Sequence, residues 1–417
     1  MSVAIARTNV VESGASLAEL AEQAGVDGVI CFGGGDWWYH NRGHYDMQMM
    51  REFSEAMPVL YVNSIGIRTP KLGEGAMFLT RVRRKLRSLR RGFVRVRKNW
   101  GVVSPFVVPG RIAGPLTRPL LAPQVRRCAR KMGMRKPLVW VTCPPAARAV
   151  DKVGAVKVAY QRTDRWEEFP HANKEEIRAI DRFLKQRADV TLFCSTLLFD
   201  EEGPACRNPV YLDHGVDFEA FRDAGAATGN EPEDVAAIAR PRVGFIGGID
   251  SHTFDADLFR GVAERVTEAH FVLVGACSLP EGWCSATNVH LLGQRPYEDV
   301  ARYMAACDVL IMPWNQNEWI RACNPVKLKE YLATGRPVVS TPFPELERYG
   351  DLVRRAVGAD NFAQAVREAI ADPGDANARI GRAEGHSWGA KARGAFSALT
   401  GQADSRSADS GEEAERP

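Results

Sequence analysis

Short β-branched and aromatic runs alternate with amphipathic stretches along most of this chain. DGVICFGGG (27–35) is an apolar run ending in glycines, and Tyr45 to Met57 follows it with helical spacing. PVLYVNS (58–64), VVSPFVVP (102–109), PLVWVTCPP (137–145), VKVAYQRTD (156–164) and VTLFCS (190–195) are predicted strands, bounded by Pro, Gly or polar residues. A second series begins near residue 240 with PRVGFIGGID and continues through HFVLVGAC, NVHLLG, CDVLIMPW and RPVVSTP. Helices are predicted between these at Phe254–Thr267, Tyr297–Ala306 and Pro325–Thr334, and the Ala-rich Asn361–Ala371 completes the series. Such alternation predicts an α/β architecture with parallel sheets. The polar stretch Asp223–Arg240 separates the two series, so two doubly wound domains facing each other across a cleft are expected, 1–217 and 218–375. The segment 376–400 is expected to return to the first domain as a helix. Residues 401–417, with no apolar residue beyond Ala, read as disordered.

Length and composition agree with two soluble globular domains: 417 residues, 45% apolar and 25% charged. No apolar run reaches the roughly 18 residues that a membrane-spanning helix needs. The opening MSVAIARTNVVESG lacks the charged leader and long apolar core of a signal peptide, so a cytoplasmic protein is expected. Nine scattered cysteines show no C-x-x-C spacing and read as reduced thiols, several inside apolar runs. Charge is unevenly spread. Between Gly75 and Val150 there are nineteen Lys or Arg and no Asp or Glu, and ten of the cations fall in Arg81–Lys98. This segment reads either as a solvated face or as a surface for anionic lipid, with Leu86, Leu89, Phe93 and Val94 interleaved among the arginines. No stacking platform or recognition motif accompanies the charge, so no nucleic acid is expected.

The most informative stretch is DVLIMPWNQNEWIRACNPVKLKEYLATGRPVVSTPFPE (308–345). An apolar strand runs into a polar, Trp-bearing loop that ends at Asn324, a favoured N-cap, followed by Pro325, which suits the first helical position. Gly335 is the expected stop. In open α/β sheets ligands bind at the carboxyl ends of strands, and a helix start there offers free N–H groups and a positive dipole end to a diphosphate. Lys327 in the first turn adds a cation, and Glu330 one turn later can accept from ribose hydroxyls. The same two residues also fit a solvated i,i+3 pair on a structural helix.

Asn324–Val339, N-P-x-K-L-x-E-Y-L-A-x-G-x-P-V-V, resembles the donor-site motif of GT-B glycosyltransferases, and is most similar to the bacterial teichuronic-acid and exopolysaccharide group of the retaining, group 1 superfamily. DHGVDFEAF (213–221), VGFIGGID (243–250), NVHLLGQRPYEDVARYMAACDVLIMPW (288–314) and VAYQRTDRWEEF (158–169) are similar to further segments of that group. The resemblance covers most of residues 28–372. It implies a GT-B fold of two Rossmann-like domains, with the donor in the second. It also implies transfer from a UDP- or GDP-linked sugar to an envelope or exopolysaccharide glycan, lipid-linked, without a metal and with retention. The place implied is the inner face of the plasma membrane. Two departures stand out. The retaining relatives carry a second Glu where this chain has Ala322, and an Arg and a Lys where it has Gly248 and Thr253.

With those cations absent, Arg295, Arg321, Lys327, the helix start at Asn324 and Pro325, and the backbone N–H groups of Gly247 and Gly248 are the candidate partners of the donor diphosphate. The triglycine Gly33–Gly35 could let a backbone approach phosphate or sugar closely, or could form a plain tight turn. Asp164, at the end of a first-domain strand, could bind an acceptor hydroxyl, act as general base in an inverting reaction, or simply cap a turn. Lys327 and Glu330 complete the candidate catalytic set. His44 is a remoter candidate, and His214 reads as structural. The rival readings are a nucleotide-sugar epimerase and a non-catalytic sugar-nucleotide or glycan-binding protein. A NAD-dependent oxidoreductase is disfavoured because the first glycine loop lacks the dinucleotide fingerprint.

Overall fold

The structure, a computed structural model, describes residues 14–39, 42–65, 76–106, 113–170, 172–227 and 229–401. The predicted disordered tail lies almost wholly outside them. The chain divides into two compact units, 1–213 with 389–417, and 214–388.

Unit 1 holds an eight-stranded sheet: β1 (Gly28–Phe32), β2 (Val59–Val62), β3 (Phe93–Arg97), β4 (Trp100–Val103), β5 (Pro137–Val141), β6 (Lys157–Arg162), β7 (Val190–Phe193) and β8 (Pro209–Tyr211). Its order is β3-β4-β2-β1-β5-β6-β7-β8, parallel except for the β3–β4 pair. β1 is central, with Cys31 level with Tyr61 on one side and Trp140 on the other. Strands covered by helices on both faces need apolar side chains on both, and β1, β2, β4, β5 and β7 are buried throughout. The core gathers Ile30, Phe32, Leu60, Val139 and Val141 from the sheet with Leu121 and Val125 from the Ala113–Lys131 helix.

The basic run does not form one continuous element. It contains most of the Ala76–Arg91 helix and then the edge strand β3, which sequence reading missed. The alternation FVRVR was the available signal, and exposed Arg95 and Arg97 are the charges expected on an unpaired sheet edge. The strand expected at 102–109 begins at Trp100 and ends at Val103.

Unit 2 holds a six-stranded parallel sheet: β9 (Arg242–Ile246), β10 (His270–Val274), β11 (Val289–Leu291), β12 (Val309–Met312), β13 (Val338–Ser340) and β14 (Val353–Arg355), ordered β11-β10-β9-β12-β13-β14. The segment 376–400 is two helices, not the single returning one expected. Ala376–Ala383 stays in unit 2, where Arg379 Nε and Nη2 donate to the Gly335 carbonyl at 3.0 and 2.9 Å. Trp388–Thr400 belongs to unit 1 from Gly389 onward, with Phe396 edge-on to Phe53 at 5.2 Å. The crossing points are therefore 213/214 and 388/389, rather than 217/218 and 375/376.

Candidate functional site

In unit 2 the chain leaves β9 toward β10 and β11 on one side, and returns through β12 to β13 and β14 on the other. The β9–β12 boundary is thus the topological switch point, where the loops following the strands part and open a crevice. Lys327, in the first turn of the Val326–Ala333 helix, sits over this point. Its Nζ lies 4.5 Å from the centre of the Phe245 ring on β9 and 5.4 Å from that of Trp314 beyond β12. A β-carbon built on Gly247 would come within 2.1 Å of that nitrogen, so only glycine lets the ammonium rest on the β9 turn. Aromatic faces attract a cation yet leave its three N–H donors unspent. Among the described residues no carboxylate forms an ion pair with Lys327.

Glu330 lies one turn deeper, 6% exposed, and accepts a 2.9 Å hydrogen bond from the Tyr297 hydroxyl. Burial raises its carboxyl pKa to about 7, against the Tyr297 hydrogen bond and the Lys327 charge, while Asp217 pushes the same way as burial. Burial likewise lowers Lys327 to about 8, opposed by Glu330 and Asp250. At neutral pH the pair stands close to the titration of both members. The arrangement can offer a cation to an anion and a carboxylate to hydroxyl donors, one helical turn apart.

The helix start differs from the expectation. Pro325, in extended conformation, is the N-cap, and its carbonyl accepts from Leu328 N at 3.2 Å. The Asn324 amide instead reaches Glu345 at 3.5 Å, because the preceding turn points it into the protein. Gly247 and Gly248 sit at the β9 turn as expected. The Gly247 N–H, however, is spent on the Val274 carbonyl at 2.9 Å. Gly275 packs against the same turn, where a β-carbon would meet the Gly247 oxygen at 1.7 Å. Asp250 closes the loop through the His252 and Thr253 amides and the Thr253 hydroxyl.

Arg295 and Arg321 are held elsewhere. Arg295 binds Asp234 at 2.7 Å and the Tyr303 hydroxyl at 2.8 Å, on the rim of an open cavity of about 610 Å³ whose lining includes neither Lys327 nor Glu330. Arg321 pairs with Glu318 at 3.3 Å on a one-turn helix. Sequence reading missed Tyr297, Phe245, Trp314 and Asp250. Nothing local marks them, since their part comes from meeting Lys327 and Glu330 across the fold.

In unit 1 the corresponding switch point lies between β1 and β5. Here the fold places an acid. The buried Asp46 carboxylate, at the start of the Tyr45–Ala56 helix, accepts from Gly34 N at 2.9 Å and from the Tyr61 hydroxyl at 2.9 Å. The Gly33 N–H goes to the Val62 carbonyl, and the Gly35 carbonyl accepts from Ser64 N. A β-carbon on Gly33 would strike Tyr61 Oη at 2.1 Å. Gly33–Gly35 is therefore a tight turn with Gly33 and Gly34 N–H groups already engaged and an acid behind it, which is poorly suited to phosphate. Asp164 lies two residues beyond β6, half-buried, its carbonyl accepting from Trp166 N at 3.0 Å. His214 is buried and its carbonyl accepts from Lys329 Nζ at 2.8 Å, while His44 caps the Tyr45–Ala56 helix without a side-chain cap bond.

Residues 240–372 match the family model of glycosyl transferases group 1. Over 186 residues the chain is 28% identical to a putative teichuronic acid biosynthesis glycosyltransferase (TuaH) of Bacillus subtilis. The match spans 42% of this chain and 46% of that relative. Among solved structures, sucrose-phosphate synthase of Thermosynechococcus elongatus superposes with a TM-score of 0.60 at 14% identity, covering 89% of this chain and 94% of its own. HepE of Anabaena, in complex with UDP and glucose, does so with 0.59 at 14% identity, covering 87% and 95%. At such identities the likeness shows the fold, which is GT-B.

Proposed function

We propose that this chain is a glycosyltransferase whose unit 2 holds a nucleotide-diphosphate sugar at Lys327 and Glu330, and which delivers the sugar to an envelope or exopolysaccharide glycan. The observation that carries the reading is the Lys327 ammonium. It rests on two aromatic rings at the switch point of unit 2, beside the amino end of a helix, with no carboxylate partner among the described residues. The diphosphate is the anion that completes it, and Glu330, fixed by Tyr297, accepts from the ribose. The group 1 match of residues 240–372 and the UDP complexes of HepE support the same assignment.

In the transfer, the anomeric carbon forms a bond to an acceptor hydroxyl oxygen on the face from which the diphosphate departs, as its bond to the diphosphate breaks, and the hydroxyl proton passes to the departing diphosphate oxygen. Lys327 and the helix start stabilise the charge that gathers on the leaving diphosphate, the place where electrostatic catalysis gains most. This reading assigns no metal and a retaining outcome. Asp164 in unit 1 is the acceptor-side carboxylate. The acceptor is lipid-linked, and the outward face of the Ala76–Arg91 helix, with exposed Arg83, Leu86, Arg87 and Arg90, meets anionic lipid at the inner face of the plasma membrane.

Lys327→Ala and Glu330→Ala are expected to stay folded, to lose most of the thermal stabilisation by UDP, and to cut transfer by roughly 100-fold or more. Wild-type UDP binding and turnover in both variants would overturn the assignment. A second reading, nucleotide binding without transfer, is favoured by one fact: Arg295 and Arg321 are committed to Asp234 and Glu318. Calorimetry showing nucleotide binding, with no turnover across acceptor glycans, would select it.

A further inference from the structure

In unit 1 the carboxyl ends of β2 and β4 are roofed by the Ala76–Arg91 helix. Its Ser88 hydroxyl lies 2.7 Å from the Ser104 hydroxyl, and Asn63 Nδ2 reaches Ser104 at 2.8 Å and Ser88 at 3.4 Å. One turn earlier Lys85 donates to the Ser64 carbonyl at 3.0 Å. These bonds fix the rotation of the helix and divide its charges between two faces. Arg83, Leu86, Arg87 and Arg90 point outward and are exposed. Arg84 and Arg91, themselves exposed but seven residues apart and so on one stripe, lean on the segment that follows β1. Arg91 lies 4.3 Å from the Trp38 ring centre and Arg84 lies 5.5 Å from that of Tyr39.

A guanidinium stacked on a ring keeps its N–H edge free for an anion. Neither arginine meets a carboxylate among the described residues, and among them no ion pair involves any residue between 66 and 150. Trp38 Nε1 and the Tyr39 hydroxyl are sheltered from solvent and meet no hydrogen-bond partner among the described residues. The one acid of the loop, Asp36, is turned to the Trp38 N–H. Two forked cations and two donors without a partner among the described residues thus lie together on the Trp38–Tyr39 segment, at the carboxyl edge of a parallel sheet, where ligands of such sheets bind.

We infer that Arg84, Arg91 and the Trp38–Tyr39 rings form a subsite for the phosphate-bearing end of the acceptor. The inference rests on the transferase reading, which commits the donor diphosphate to Lys327 in unit 2; the anion held in unit 1 is then a different one. Planar guanidinium forks match phosphate oxygens two at a time, and the indole and phenol donors supply further bonds to the same group.

Isothermal titration of the full-length protein with farnesyl diphosphate, inorganic pyrophosphate and farnesol tests this. Farnesyl diphosphate is expected to bind, farnesol is not, and the double variant Arg84→Gln, Arg91→Gln is expected to weaken the diphosphate at least 10-fold. Trp38→Phe, which keeps an aromatic face under Arg91 but removes Nε1, is expected to weaken it about threefold, the scale of one neutral hydrogen bond. Tighter binding of farnesyl diphosphate than of pyrophosphate assigns a lipid-linked source; equal binding assigns a soluble phosphate ester. Unchanged affinity in the double variant, or in Trp38→Phe should the double variant fail to fold, overturns the subsite. So does an equal loss in Arg83→Gln, Arg87→Gln, which would mark a diffuse field. UDP stabilisation of the wild type, read separately, reports on the transferase reading and stays intact in every one of these variants.

Discussion

The two lysines of N-P-V-K-L-K-E are indistinguishable by residue type, and the fold gives them opposite tasks. Lys329 is 2% exposed and ties the helix to the His214 carbonyl, whereas Lys327 rests on Phe245 and Trp314 with no hydrogen-bond partner among the described residues. Glu330 was legible as an acceptor, but its pKa was not, because burial depends on what covers it. The shifts define a window for nucleotide binding. A diphosphate needs Lys327 protonated, and ribose hydroxyls are best accepted by an ionised Glu330. UDP affinity is therefore expected to fall above about 8 as Lys327 loses its proton, and below about 7 as Glu330 gains one. Titration calorimetry across pH checks this, and Glu330→Gln should remove the acid limb alone. Without ligand both shifts cost stability near neutrality. The contribution of Glu330, with its raised pKa, is present below its ordinary value and lost as pH rises through about 7. That of Lys327, with its lowered pKa, is recovered only as pH rises beyond about 8. Lys327→Met should accordingly raise the unliganded Tm by about 2–4 °C, the change expected for ~1 kcal/mol, while ending the stabilisation by UDP.

At the scale of elements, the site is a meeting of two turns and a helix start. Gly247 has φ 155° and carries Lys327 on its face, and Gly275 presses on the Gly247 carbonyl from β10. The two glycines should fail differently. Gly275→Ala drives a β-carbon into backbone that cannot retreat, and is expected to cost about 3 kcal/mol or more in urea unfolding. Gly247→Ala meets the mobile end of a side chain instead, and its stability cost is mainly the strain of an L residue held at φ 155°, about 1–3 kcal/mol. It should cost less stability, yet displace the ammonium and abolish stabilisation by UDP. Equal stability losses in the two would contradict this account of the turn. The helix itself was legible from Asn-Pro and Gly335, but its cap was misplaced by one residue. Local preference favours Asn as a cap; here Glu345 competes for its side chain. The edge strand β3 was hidden because a dense run of arginines masks the alternation beneath it.

For the whole molecule, unit 2 is one continuous stretch that contains every strand of its sheet and every residue of the Lys327 site. Unit 1 is completed only by the chain's return at Gly389, where Phe396 covers Phe53 and Lys391 pairs with Asp213. Residues 214–388 expressed alone are therefore expected to fold and to be stabilised by UDP. Truncation before Gly389 should instead lower the stability of unit 1 while leaving the response to UDP. Melting curves of the two fragments decide it, and an unfolded 214–388 would refute the independence of the unit. By itself the sequence determined the α/β alternation, the two series of strands, and the helix that presents Lys327 and Glu330. Those depend on periodicity, turn residues and caps within a few positions of one another. Tertiary structure alone decided that Asp46 occupies the first glycine turn, that Arg295 pairs with Asp234, and that among the described residues the arginines of the acid-free segment meet no carboxylate. Each of these outcomes turns on which distant groups come within a few ångströms and how much water is left between them, and no local pattern carries that information.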